Sequence, residues 1–194
     1  MGLRDILTGR HEVKGPAPDR MFAISTAYVT LEAEHQVSPA GKAAIVFQAL
    51  ATSEFEETLR EMEELVTATG GDSGTSVATQ DDSYGYKWMV LQNPAGAPSI
   101  EDLAVGINAV SGSIETAGHG ERLLCAVFAF TDAKGAPIYF IYNYKRGYWY
   151  PFVPGAGDKQ RSTERELQLK AQMSSELPIE PELERWFPLW GIPI

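Results

Sequence analysis

Gly71-Asp72-Ser73-Gly74 spells the tetrad around the nucleophile of trypsin-like serine proteases, where backbone amides form an oxyanion hole and a histidine serves as base. His35, in LEAEHQV, lacks the surroundings of that histidine, and the tetrad follows directly on a helical pattern, so it reads as a Gly-rich helix stop. Gly41-Lys42 resembles the end of a phosphate-binding loop, but Gln36 stands where that loop needs glycine and Ala43 where it needs Ser or Thr. Gly155-Ala156-Gly157 precedes a helix, yet without a preceding dinucleotide-binding strand and an acidic ribose ligand it reads as a Pro-Gly loop. His11, His35 and His119 are far apart and Cys125 has no CxxC partner, so no metal spacing exists. Cys125 lies in an apolar strand pattern, where a free thiol behaves as a small hydrophobe. Glu54, Glu57, Glu61 and Glu64 share one helix face with no basic pocket opposite them, and Asn108 sits mid-helix; both read as solvent-side polarity. No catalytic, cofactor-binding or metal-binding residue is assigned.

The densest unusual chemistry is Tyr142 to Phe152, where Lys145 and Arg146 sit among six aromatic rings. Interleaved cations and rings can stack on single-stranded nucleic acid, form a protein-binding surface, or build a core around a Lys145-Arg146-Gly147 turn. Sixteen Lys+Arg against 26 Asp+Glu give a net charge of −10, which disfavours polyanionic partners such as nucleic acid. The ending LPIEPELERWFPLWGIPI is the second anomaly: its four prolines forbid a long helix, and its tryptophans would be costly to leave in water. It must pack on its own domain or on another chain. The candidate partner-binding residues are Tyr144, Lys145, Arg146, Tyr148, Trp149, Tyr150, Trp186, Phe187 and Trp190.

Positioning these residues requires a core, and 194 residues with 44% hydrophobic and 22% charged content suit one globular domain. No apolar run is long enough to span a bilayer, and MGLRDILTGR lacks the pattern of a secretory signal. With one cysteine and no internal disulfide, the cytoplasm is the expected compartment. Leu3, Ile6 and Leu7 predict a short amphipathic helix, followed by a linker to residue 18; one domain is expected over 19–177 and an apolar tail over 178–194. Tyr28 to Leu31 and Lys42 to Leu50 read as strands flanking a Ser38-Pro39-Ala40-Gly41 turn. A helix over 53–69 is predicted from a Ser53/Glu56 capping box, the apolar face Phe55, Leu59, Met62 and Leu65, and the Gly70-Gly71 stop. Residues 84–92 read as a strand, and Ser99 opens a helix that Gly118 closes. Leu123 to Thr131 and Pro137 to Tyr144 form a hairpin about Asp132-Ala133-Lys134-Gly135, and a capped helix runs from Thr163 to about Ser175 with Glu166 at its third position. These elements predict an α+β fold: a mainly antiparallel sheet with helices on one side and repeated ββα units. That rhythm looks like YbjN and type III secretion chaperone domains.

MGLRDILTGR, LLCAVFAF, YNYKRGYWYPFVP and LPIEPELERWFPLWGIPI together resemble the PspA-associated protein PspAB family along the whole chain. The resemblance implies a non-enzymatic accessory protein of an envelope-stress response, working beside the membrane-associated protein PspA and an HtpX-type membrane protease. It implies a protein partner and membrane contact no more than peripheral at the inner face; the net charge disfavours nucleic acid, no motif calls for a cofactor, and homodimerisation stays open. A chaperone-like peptide-binding dimer and an unrecognised hydrolase-type enzyme, using Ser73, His35 or His119, are the alternatives.

Overall fold

The computed structural model describes residues 18–69 and 74–194; the expected N-terminal helix and Gly71-Asp72-Ser73 lie outside the described residues. The chain runs α1 (Pro18–Phe22), α2 (Ile24–His35), β1 (Ser38–Phe47), α3 (Ser53–Thr69), β2 (Ser76–Asp81), β3 (Lys87–Gln92), α4 (Ile100–Thr116), β4 (Leu123–Thr131), β5 (Pro137–Asn143), β6 (Tyr148–Phe152) and α5 (Thr163–Met173). The strands form one six-stranded antiparallel sheet in the order β2-β3-β1-β4-β5-β6. The fold is therefore α+β, and the β2-β3-α4 and β5-β6-α5 stretches carry the expected ββα rhythm.

The expected strand at Tyr28 to Leu31 is instead the middle of α2. Its four residues favour a strand locally, but Ile24, Ala27 and Leu31 fall on one helical face and are fully buried, so tertiary packing overrides propensity. The expected Ser38–Gly41 turn is a bulged start of β1: the register against β4 shifts between Pro39 and Ala43, with Gly41 at φ 69°. The 53–69 helix forms as predicted, but its cap is Thr52, whose Oγ1 accepts the Phe55 amide at 3.3 Å. Val66 rather than Leu65 completes its buried face with Phe55, Leu59 and Met62. Ser99 caps α4 through its hydroxyl, which accepts the Asp102 amide at 3.1 Å. The β4–β5 turn is also as predicted: Asp132 Oδ1 accepts the Lys134 and Ala136 amides, both at 2.8 Å, with Gly135 at φ 79°. β2 and β6 are strands that the sequence pattern does not predict.

The central strands β1, β4 and β5 are buried on both faces. Ala43, Ile45 and Phe47 of β1, with Phe128 and Phe140, pack under the helices. Ala44 and Val46, with Val127, Ile141 and Phe152, build a second cluster on the opposite face, which Trp186, Leu189, Trp190, Ile192 and Ile194 cover. The apolar tail therefore packs on its own domain. Its path is fixed at β6, where the Trp149 amide donates to Pro178 O at 2.9 Å and the Glu180 amide to Trp149 O at 2.8 Å. Helix α1 is tied to β6: the Trp149 indole Nε1 donates to Arg20 O at 2.7 Å, and Arg20 Nη1 donates to Gly147 O at 3.3 Å.

Glu166 does not close a capping box on α5. It is buried, and its carboxylate accepts the Val153 amide at 2.9 Å and Arg161 Nε at 2.8 Å, while Arg161 Nη1 donates to Trp186 O at 2.8 Å. This pair ties β6, α5 and the tail together. Arg161→Leu strands the buried carboxylate and is expected to cost about 3–5 kcal/mol, with less lost in Arg161→Leu/Glu166→Leu than in the single variant. Urea unfolding of the three proteins measures both values.

Candidate functional site

The tail does not cover the whole second face. Trp186 stacks on Tyr150 with centroids 6.2 Å apart, and Trp190 meets Phe152 edge-on at 5.3 Å. The Tyr150 hydroxyl donates to Phe187 O and the Tyr139 hydroxyl to Ile194 O, both at 3.0 Å. These contacts hold 186–194 over β4 to β6, while the β2–β3 turn rises at the other end of the sheet. Between turn and tail lies a cavity of about 410 Å³, floored by Val46, Leu124 and Cys125 and walled by Tyr84, Trp88 and Trp190. A second recess of about 430 Å³ adjoins it, sharing Asp82, Tyr84, Trp88 and Trp190 and opening toward Asp158 and Lys159.

Asp82 organises the turn wall. Its Oδ1 accepts the Tyr84 and Tyr86 amides at 2.8 and 2.9 Å, and its Oδ2 accepts Trp88 Nε1 at 2.9 Å. Burial pulls this carboxyl upward, but the Trp88 indole and the Tyr86, Tyr84 and Gly85 amides outweigh it and hold the group below its ordinary value. Tyr84 is thereby presented 56% exposed beside the cavity mouth. The opposite rim carries Asn143 and Lys145. Asn143 faces Cys125 in register, and its Oδ1 is buried without a hydrogen-bond partner. Lys145 is exposed and forms no ion pair among the described residues.

Of the nine candidate partner-binding residues, the fold brings Lys145, Tyr150, Phe187 and Trp190 to this cavity. Tyr144 and Trp149 instead belong to the helix-side core, each packed against Tyr142. Trp186 is buried under the tail, its indole donating to Glu180 O at 3.0 Å. Arg146 is held by Glu180, with N···O distances of 2.7 and 3.0 Å, and by Glu182 at 3.4 Å; Tyr148 lies between it and Arg20. Asp82, Tyr84, Tyr86 and Trp88 are additions that sequence reasoning missed. Their signal was present in DDSYGYKW, an Asp-initiated turn with Gly85 followed by rings at alternate positions.

Among the described residues the candidates for other chemistry do not assemble. Among the described residues no group of three or more His, Cys, Asp or Glu side chains is placed to hold a metal ion. His119 packs edge-on to Phe55 at 5.1 Å under the helices, whereas Cys125 lies on the other sheet face, and His35 closes α2. Burial pushes the Cys125 thiol up to about 12. The Gly155-Ala156-Gly157 loop is filled by Gln160, whose backbone oxygen accepts the Gly155 amide at 2.7 Å. Glu54, Glu57, Glu61 and Glu64 are exposed on α3.

Two predictions follow from this geometry. Because the Asp82 pKa is lowered in the folded state, its stabilisation is complete above the ordinary carboxylate value of 3.8 and is lost as pH falls through the folded value. Asp82→Ala is expected to cost about 1–2 kcal/mol at pH 7, and the gap from the parent protein to narrow below pH ~3.8 in urea titrations. Cys125 is expected to resist a disulfide reagent at pH 8 in the native protein and to react within minutes in denaturant, as thiol absorbance assays would show.

No helix among the described residues is long and apolar enough to cross a membrane. No curated protein and no solved structure gives a significant match to the chain. The PspA associated protein B family matches residues 1–194, from the first residue to the last, and the chain belongs to that family.

Proposed function

We propose that this protein is a non-enzymatic accessory partner of PspA in an envelope-stress response and acts by protein contact at the cleft between the β2–β3 turn and the tail. The observation that carries the reading is the pair of exposed rings flanking the cleft, Tyr84 at 56% and Phe187 at 57%, in a chain whose family is named for its association with PspA. Exposed rings beside a partly filled apolar pocket are the anchors that protein interfaces use, with binding energy concentrated at a few such positions. The acidic face of α3 lies on the helix side of the sheet and the cleft on the other, which leaves the cleft clear of that carboxylate cluster. The scattered positions of His35, His119 and the buried Cys125 thiol support a binding role over a hydrolytic one. An HtpX-type protease of the same response is the second protein to test, and location at the inner membrane face follows from PspA rather than from this chain.

The test is co-sedimentation and calorimetry of the full chain with its cognate PspA. Tyr84→Ala/Phe187→Ala should weaken the complex by about tenfold or more while moving the thermal midpoint by only a few degrees, since both rings are exposed. Absence of a complex with the parent protein, or equal binding by the double variant, would sink the reading.

A further inference from the structure

The two edges of the sheet differ. At β6 the segment 178–180 closes the edge, where the Trp149 amide donates to Pro178 O at 2.9 Å and the Glu180 amide to Trp149 O at 2.8 Å. At the other end β2 is the outermost strand, and among the described residues none pairs with its outer side. The ladder fixes which of its groups are open. The Asp82 amide donates to Tyr86 O at 2.9 Å, so Gln80↔Trp88, Ala78↔Val90 and Ser76↔Gln92 are the pairs that exchange backbone bonds. The N–H and C=O groups of Val77, Thr79 and Asp81 therefore point outward as a row of unused donors and acceptors. SVATQD holds no proline, lysine or bulge, the devices that blunt such an edge, and its one charge, Asp81, is paired with Lys87 at 3.2 Å.

Charge selects what can be added there. Val77 packs against the helix-side core, so Val77, Thr79 and Asp81 face the layer of α3, which lies against β2. α3 carries six glutamates against one arginine, and that Arg60 is itself engaged by Glu57 at 3.1 Å. A second copy pairing through β2 would bring a second α3 to the same junction, carboxylates against carboxylates, so the edge is guarded against self-association. On the opposite face Ala78 and Gln80 are exposed and offer an added strand no apolar cover. In antiparallel pairing the residues opposite Val77, Thr79 and Asp81 turn their side chains to the α3 face, and the residues between them face water. We propose that β2 takes an added antiparallel strand from a partner polypeptide, with Lys or Arg at the alternate positions that face α3 and Thr-like residues between them. The site lies outside the cleft and uses neither Tyr84 nor Phe187, so it stands or falls separately from the role proposed above.

The experiment is calorimetric titration of the full chain with acetyl-Thr-Lys-Thr-Arg-Thr-Lys-Thr-amide in about 20 mM salt. Saturable binding tighter than about 1 mM is expected, weakened about tenfold or more in about 500 mM salt. Methylating the backbone nitrogens of the Lys and Arg residues should abolish binding, whereas methylating those of the two inner threonines should change it by less than about threefold, because only the first set faces β2. Thr79→Pro removes an outward N–H that the native ladder does not use, and should weaken binding about tenfold. Glu54→Gln/Glu57→Gln/Glu61→Gln/Glu64→Gln, all on the exposed face of α3, should weaken it by a similar factor and flatten the salt dependence. The proposal is overturned by no saturable binding up to about 1 mM, by equal loss from the two methylation patterns, or by equal binding of a peptide with Glu in place of Lys and Arg. Sedimentation of the parent chain supplies the remaining arm: a dimer that Thr79→Pro converts to monomer gives the edge to a second copy and overturns the basic strand. The methylated peptides test the ladder on the unaltered protein, whether or not Thr79→Pro folds.

Discussion

The central strands of this sheet are apolar on both faces, and that single constraint organises the rest of the molecule. Alternate residues of β1 point to opposite sides, so Ala43, Ile45 and Phe47 demand one cover and Ala44 and Val46 another. The helices satisfy the first demand. The second falls to an irregular segment of prolines and tryptophans, which can lie flat on a sheet because it needs few backbone hydrogen bonds of its own. Irregular cover is sparse cover. The cleft beside the β2–β3 turn exists because a tail of this kind fills the face near β5 and β6 and leaves the far side to two tyrosines of the turn, Tyr84 and Tyr86, and to Trp88 of β3.

Much of the architecture was legible in the sequence for the same reason. KAAIVF, LLCAVFAF and PIYFIY are continuous apolar runs rather than alternating ones, the mark of strands buried on both faces, and the tail's rings announced that it had to pack. What local pattern could not reveal was decided by tertiary contact. Tyr28-Val29-Thr30-Leu31 has a strand's composition, but three buried positions at helical spacing settle it as α2. SVATQD carries only Val77 and Thr79 on its half-buried face, an alternation too weak to mark a strand, and pairing with β3 holds it in the sheet.

The site was half legible. Lys145, Tyr150, Phe187 and Trp190 stood out as cations and rings in unusual company, yet Tyr144, Trp149 and Trp186 stood out equally and are core. Composition cannot separate these groups, because a strand sends neighbouring rings to opposite faces: Trp149 goes under the helices and Tyr150 under the tail. The opposing wall comes from residues 82–88, more than fifty positions earlier, and only the sheet order brings it near.

The hydrogen bond from Trp149 to Arg20 O spans 129 positions, and β1, at the middle of the sheet, pairs with strands that follow it in the chain. During synthesis, β1 leaves the ribosome with neither neighbour made, and α1 cannot be fastened until residue 149 has emerged. The nascent chain thus carries β1 without either neighbour until residue 92 and without β4 until residue 131. Shielding KAAIVF until β4 arrives therefore acts on the folding chain alone and leaves the stability of the finished sheet untouched.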